Sequence, residues 1–164
     1  MLQPVVRRTW APRGVTPIHR SWDRHDRLSA ISAITVSPKR HRLGLFFSIQ
    51  RENVHASDAT RFVRRLRRQL SRRLLLVWDR LNVHCSAAPK LTRRASVEIA
   101  WLPPYAPDLN PVESVWRHAK YADMANLLPA DLDHLEAELI VSLAQQGRNK
   151  SLLRSYFHHA ALSI

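Results

Sequence analysis

Two acidic residues stand at positions where a fold can bring carboxylates together for chemistry. Asp79 directly follows the apolar run 74–78, LLLVW, and Glu113 lies 34 positions later, in the first turn of a segment opened by Asn110-Pro111. The carboxyl end of a strand is a common place for a ligand-binding side chain. Two carboxylates at close range repel each other unless a cation joins them, and Mg²⁺ prefers oxygen ligands. The pair therefore indicates a divalent metal site.

Each acid also has a structural explanation that needs no ligand. Asp79 can cap the turn that follows its strand. Glu113 stands three residues after Asn110, so it can be the reciprocal glutamate of a capping box. For each acid taken singly, both the metal-binding role and the structural role therefore stay open.

A hairpin and a helix are predicted before the first acid. Residues 28–36 and 42–49 read as two paired strands separated by a polar turn. Ser57 is placed to cap the helix that follows it. The apolar residues of that helix recur at helical spacing: Ala59, Phe62, Val63, Leu66 and Leu70. Arginines 61, 64, 65, 67 and 68 occupy the rest of it, as either a solvated face or a phosphate-contacting face.

After that helix, strands and helices alternate. Residues 74–78 are apolar without alternation, which predicts a strand covered on both faces, as at the centre of a parallel sheet. A helix over 85–95 and a strand over 97–102 follow, so the order favours a parallel α/β arrangement. Three more helices are predicted: one opened by Asn110-Pro111, one after Asp131 and one over 150–161.

Positive charge is concentrated in one part of the chain. The 164 residues carry 26 Lys or Arg and 13 Asp or Glu, a formal net charge of +13. Residues 1–100 hold 21 basic and 6 acidic side chains, whereas residues 101–164 hold 5 and 7. This asymmetry suits a surface that faces a polyanion, most often nucleic acid. Arginine outnumbers lysine 22 to 4, which a GC-rich genome would also explain in part.

Composition excludes several classes of protein. The length and the 45% of apolar residues suit one packed domain over residues 1–164. A single cysteine, Cys85, excludes an intramolecular disulfide framework. No apolar stretch approaches the roughly 18 residues of a membrane span, and no apolar segment follows Arg7-Arg8 as in a secretory signal. We therefore expect a cytoplasmic protein with no membrane partner.

Two segments of the chain resemble a known family. LLLVWDRLNVH, at 74–84, and WLPPYAPDLNPVESVW, at 101–116, are similar to the catalytic core of mariner-like bacterial insertion-sequence transposases of the DDE superfamily. The resemblance extends from Trp10 to about Lys120 and includes the early element TWAPRGVTP. It implies an α/β fold of the ribonuclease-H-like type, a mixed sheet with flanking helices, and an activity in DNA transposition.

The resemblance also implies roles for individual residues. Asp79 matches the second metal-binding carboxylate and Glu113 the third, so the two would hold Mg²⁺, or Mn²⁺, for phosphodiester cleavage and strand transfer. The implied partner is DNA, both transposon ends and target. Apart from the resemblance, two nearby residues have open roles. His84 would lie near the metal or contact DNA, or else be a packed or surface histidine. Asn82 would orient Asp79 by a hydrogen bond or have a plain turn role.

The chain departs from the family pattern near its beginning. The family's first aspartate lies upstream of the TWAPRG-type element, but only nine residues precede Trp10 and the first Asp is Asp23. We expect an N-terminally truncated catalytic domain that lacks the first, central strand, which would leave an unpaired sheet edge. Two carboxylates would hold the metal weakly, so we expect no activity from the chain alone.

Three functions remain open at this point. The first is a DNA transposase catalytic domain that acts together with an upstream transposase product or as a homo-oligomer. The second is a non-catalytic fragment that binds DNA or a full-length transposase. The third is an unrelated basic α/β protein that binds RNA, which leaves the string LPPYAPDLNPVE unexplained.

Overall fold

The computed structural model describes residues 8, 10–15, 28–39, 41–93 and 96–164. Strands and helices together make a mixed α/β architecture over these residues, which confirms the predicted fold class. In chain order they are β1 Ser29–Val36, β2 Leu43–Gln50, α1 Ala56–Leu70, β3 Leu74–Trp78, α2 Asn82–Thr92, β4 Val97–Trp101, α3 Pro111–His118, α4 Leu132–Arg148 and α5 Lys150–His159. A 3₁₀ turn, Pro107–Leu109, precedes α3, and a π-helical turn, Ala119–Asp123, continues it.

The strands form two separate pairs. β1 and β2 are antiparallel, with Ser29 opposite Gln50, and β3 and β4 are parallel, with Trp78 opposite Trp101. The predicted hairpin and the predicted parallel pair are both present, but the expected single mixed sheet is divided into two halves. In the part of the chain that the structure describes, no strand joins β1 to β3, so each of them has one unpaired edge.

β3 is covered on one face only, which corrects the expectation of a strand buried on both faces. Leu74, Leu76 and Trp78 pack against the helices α1 and α2. Leu75 and Val77 point the other way and are 65% and 55% exposed. Because successive side chains of a strand alternate between faces, a two-stranded sheet with helices on one side leaves every second residue open.

Two hydrophobic clusters hold these elements together. The large cluster joins β1, β2, α3, α4 and α5, and the small cluster joins α1, α2, β3 and β4. The buried residues of the large cluster are Leu28, Leu43, Val115, Ala119, Met124, Leu135, Leu139, Leu143, Leu153, Tyr156 and Phe157. Those of the small cluster are Ala59, Val63, Ala87, Leu91 and Val97.

Local signals fix most helix ends. Asn110 caps α3, since its side chain accepts a hydrogen bond from the Val112 N–H at 3.2 Å. The cap predicted for α1 is wrong: the helix begins at Ala56, and Ser57 lies inside its first turn. A capping box between His55 and Asp58 takes that place, because the Asp58 carboxylate accepts the His55 N–H at 3.0 Å.

None of the described helices is both long enough and apolar enough to cross a membrane.

Candidate active site

Asp79 lies at the carboxyl end of β3, where the chain leaves the sheet for α2. Its Oδ1 accepts a hydrogen bond from the Leu81 N–H at 3.2 Å and lies 2.5 Å from Nδ1 of His84. The turn-capping role is therefore confirmed for one carboxylate oxygen. Over the described ranges the other oxygen, Oδ2, has no hydrogen-bond partner, so it remains available to a ligand.

His84 holds the Asp79 carboxylate from the first turn of α2. This helix begins three residues earlier than the sequence predicts, because the Leu81 carbonyl accepts the N–H groups of His84 and Cys85, each at 2.9 Å. The imidazole stacks on Trp78 with 4.2 Å between ring centroids. His84 is thus both packed and in contact with the acid, and it takes the orienting role that the sequence suggested for Asn82.

Glu113 lies in the first turn of α3, on the wall of an open cleft of about 470 Å³. The backbone N–H of Asn110 donates to the Pro107 carbonyl at 2.9 Å. The Glu113 carboxylate therefore does not close a capping box with Asn110, and that structural explanation is wrong.

The pKa of Glu113 is raised above its ordinary value. The main cause is the partial loss of hydration at the cleft wall, and the second is the negative charge of Asp79. Arg117, one helical turn further along α3, acts in the opposite direction and lowers the pKa. Asp79 thus acts electrostatically on Glu113, although the two acids lie on elements of different hydrophobic clusters.

The two acids do not complete a metal site by themselves. Across the residues for which the structure gives positions, no group of three or more His, Cys, Asp or Glu side chains could hold a metal ion. Asp79 Oδ2 and the Glu113 carboxylate are hard oxygen donors of the kind Mg²⁺ takes, so they suit that ion as part of a ligand set. Asp23 lies outside the described residues.

Cationic side chains surround the acids. Arg117 and Lys120 line the same cleft as Glu113. Arg80 lies over the ring of Trp101 at 5.6 Å, and that ring stacks with Trp78 at 6.4 Å between centroids. Sequence reasoning did not single out these cations. Their positions in the sequence could have indicated them. Arg80 directly follows Asp79, and Arg117 and Lys120 stand about one and two helical turns after Glu113.

Tyr105 is a further residue that sequence reasoning missed. It lies in the loop between β4 and α3, fully exposed to solvent, with φ of 58°. A tyrosine in the left-handed region is unusual, and such strained residues concentrate at functional sites. The signal was an aromatic residue between prolines in the string LPPYAPDLNPVE.

A family model described as DDE superfamily endonuclease matches residues 1–136. Among solved structures, the crystal structure of the Mos1 strand transfer complex is similar, with a TM-score of 0.61 and 14% sequence identity. The match covers 98% of this chain and 47% of the Mos1 chain, so the chain spans about half the length of that neighbour. No curated protein matches. At this identity the likeness to Mos1 shows the fold, which is ribonuclease-H-like as the motifs implied.

Proposed function

The chain belongs to the DDE superfamily of endonucleases, and on that premise we propose that it is the catalytic-domain part of a DNA transposase. We propose that residues 1–164 belong to one domain for phosphodiester cleavage and strand transfer. The observation that carries this proposal is the electrostatic effect of Asp79 on Glu113, which lines an open cleft. The similarity in fold to a strand transfer complex supports DNA as the substrate.

In this proposal Asp79 and Glu113 would be the residues that hold Mg²⁺, or Mn²⁺. The bound ion would stabilise the negative charge that develops on phosphate oxygens. His84 keeps the Oδ1 of Asp79 engaged, so only Oδ2 remains for a ligand. Arg117 and Lys120 offset the charge of a phosphate in the cleft.

We propose that the chain alone does not cleave DNA. Two carboxylates supply few of the oxygen ligands that two metal ions need, and a further acidic residue has to complete the set. An upstream transposase product, or a second copy of the chain, is the source we expect. The protein would then act as one part of an assembly on DNA.

The deciding experiment is strand cleavage in vitro, with the chain alone and with a reconstituted upstream segment that carries an aspartate on a strand. We expect metal-dependent nicking only in the combined sample, and we expect Asp79→Asn to abolish it. Nicking by the chain alone that Asp79→Asn abolishes would contradict the need for a further acidic residue. The catalytic assignment fails if neither sample nicks DNA in Mg²⁺ or Mn²⁺.

The alternative is a non-catalytic fragment that binds DNA or a full-length transposase. The incomplete ligand set and the strong positive charge favour this alternative. It predicts that no upstream segment restores cleavage, while duplex binding persists and weakens steeply with salt. Both functions require access to chromosomal DNA, so we propose a cytoplasmic, nucleoid-associated protein in a bacterial cell.

A further inference from the structure

Helix α1 carries four exposed arginines on the side opposite its packed face. Ala59, Val63 and Leu66 are buried against the rest of the molecule. With 3.6 residues per turn, the four arginines fall within an arc of about 100° centred opposite those buried residues. We call this set the arginine stripe: Arg61, Arg64, Arg65 and Arg68.

The stripe is almost without acidic partners. Arg61 pairs with Asp58 at 3.3 Å, yet its side chain remains 76% exposed. For Arg64, Arg65 and Arg68, no acidic side chain from the described segments lies within ion-pair distance. Like charges three and four residues apart destabilise a helix, whereas alternating signs stabilise it. A face that needed only solvation would not require this pattern, so it points to a polyanionic ligand.

The stripe shares no lining with the cleft beside Glu113. Within the described residues, none of its four arginines lines that cleft or bonds Asp79. Arg61 and Arg65 instead line a second cleft, between α1 and the hairpin of β1 and β2. A phosphate held by the stripe is therefore held by different side chains from one beside Glu113.

The dimensions and chemistry of the stripe fit the backbone of a duplex. Arg61 and Arg68 are about 10 Å apart along the helix axis, and a similar length of B-DNA carries about six phosphate charges. Guanidinium groups bind phosphate oxygens in a bidentate manner. Phe62, the aromatic residue of α1, packs against the small cluster, so the four positions of the stripe itself are all arginine.

We propose that the arginine stripe is a second DNA-contact surface, which holds the phosphate backbone of a duplex away from the site of cleavage and without reading its sequence. This proposal rests on the proposed function in one respect, namely that the polyanion is DNA.

The test compares two triple variants that lose the same charge. One replaces three stripe arginines, and the other replaces three exposed cations of α4 and α5. The stripe variant is Arg64→Gln, Arg65→Gln and Arg68→Gln, and the control is Arg148→Gln, Lys150→Gln and Arg154→Gln. Fluorescence anisotropy with a labelled duplex of arbitrary sequence, over a series of salt concentrations, gives the slope of log affinity against log salt.

We expect the stripe variant to reduce this slope by about 0.9 for each arginine that releases a counterion, or by about 2.7 for all three. The control should retain the wild-type slope. Gln keeps good helix propensity and removes like-charge repulsion, so the Tm of the stripe variant should equal or exceed that of the wild type. A wild-type slope in the stripe variant, or an equal reduction in the control, overturns the proposal.

Two further measurements decide between ligands and between sites. An RNA duplex of the same length that binds the stripe more tightly than DNA would overturn DNA as the ligand. Asp79→Asn should retain the wild-type salt slope, and a slope as flat as that of the stripe variant would contradict the separation of the two surfaces. The salt slopes do not depend on cleavage, so failure of the proposed catalysis is distinguishable from failure of this proposal.

Discussion

The two hydrophobic clusters differ in size and in charge. The large cluster buries leucines completely, including Leu139, Leu143 and Leu153, whereas the small cluster is built mostly from alanine and valine. Residues 111–164, which form much of the large cluster, carry 5 basic and 6 acidic side chains, a net of −1. Residues 56–101, which form the small cluster, carry 11 and 3, a net of +8. One region supplies the rigid core and the other supplies the surface for a polyanion.

The two acids divide between these regions. Asp79 follows β3 in the small cluster, and Glu113 lies in the first turn of α3 in the large one. Because the sheets of the two clusters share no hydrogen bonds in the described structure, the spacing of the acids depends on how the clusters pack together. We expect changes in the large cluster to cost more stability than equal changes in the small cluster.

The largest expected effect is the loss of core volume. Leu139→Ala and Leu91→Ala each remove a buried leucine, one from each cluster, and such changes cost about 2–5 kcal/mol. We expect the loss from Leu139→Ala near the upper end of this range, since its site is fully enclosed. The loss from Leu91→Ala should lie near the lower end, since the smaller cluster around it can collapse into the cavity. Urea denaturation measures both free energies of unfolding. Equal losses would remove the difference between the clusters.

A buried chain of hydrogen bonds ties the large cluster to the turn after α3. The Tyr156 hydroxyl donates to Gln146 Oε1 at 2.8 Å, Gln146 Nε2 donates to Ser142 Oγ at 3.1 Å, and Ser142 Oγ donates to Asp123 Oδ2 at 2.6 Å. His118, on α3, lies 3.3 Å from the same aspartate. The chain thus links α4 and α5 to the helix that bears Glu113.

Gln146→Leu should break this chain at its centre. It leaves the Tyr156 hydroxyl without its acceptor, and an unsatisfied buried group costs about 1–3 kcal/mol. Tyr156→Phe removes the hydroxyl itself, so the double variant should lose less than the sum of the two single changes. Thermal unfolding of the three variants measures this coupling. Additive losses would show that the two residues do not act as one unit.

The Tyr156 hydroxyl also predicts a loss of stability at alkaline pH. Burial, with the charge of Asp123, raises the pKa of Tyr156 in the folded state. A raised tyrosine pKa contributes stability that is present below the unfolded value, about 10, and is lost as the pH rises above it. We expect wild type to lose stability above about pH 10 more steeply than Tyr156→Phe. Parallel pH profiles of the free energy of unfolding would contradict this.

Elements with a local signal could be predicted from sequence. The hairpin of β1 and β2 follows from its strand-forming residues and polar turn, and the start of α3 follows from Asn110-Pro111, a cap and a first-turn proline. The positions of both acids at element ends were likewise local properties. These features do not depend on what packs against them.

Features that depend on distant packing could not be predicted. An apolar run such as residues 74–78 has the same appearance whether one face or two are covered, so the open face of β3 has no local signal. The division of the sheet into two pairs depends on which strand edges meet, and the sequence of a single strand does not show this. The contact of His84 with Asp79 depends on α2 beginning at Asn82, three residues before the position that the pattern suggested.

A smaller loss of stability is expected at His84, where the small cluster contacts Asp79. His84→Ala removes a hydrogen bond to Asp79 and the stacking on Trp78, which together contribute about 1–2 kcal/mol. Asn82→Ala is the matched control, because Asn82 is exposed in the same turn and does not bond Asp79. Chemical denaturation should show a loss for His84→Ala and little change for the control. Equal effects would mean that the acid is not held by the histidine.

The smallest expected effect is a gain in stability from Glu113→Gln. The pKa of Glu113 is raised in the folded state by partial loss of hydration and by Asp79, so the wild-type side chain loses stability as the pH rises through that pKa. Gln carries no charge and escapes this loss. Because Glu113 is exposed at the cleft, solvent screening limits the gain to a few tenths of a kcal/mol near neutral pH.

The pH dependence and a second variant identify the source of that gain. It should vanish near pH 4, about where an unperturbed glutamate is half protonated. It should also shrink in an Asp79→Asn background, because one of the two causes of the raised pKa is then absent. Free energies of unfolding for the four members of this cycle, at both pH values, give the coupling between the clusters directly. A gain that is unchanged by Asp79→Asn would show that the charge of Asp79 does not act on Glu113. The proposal that the two acids form a pair would then fail.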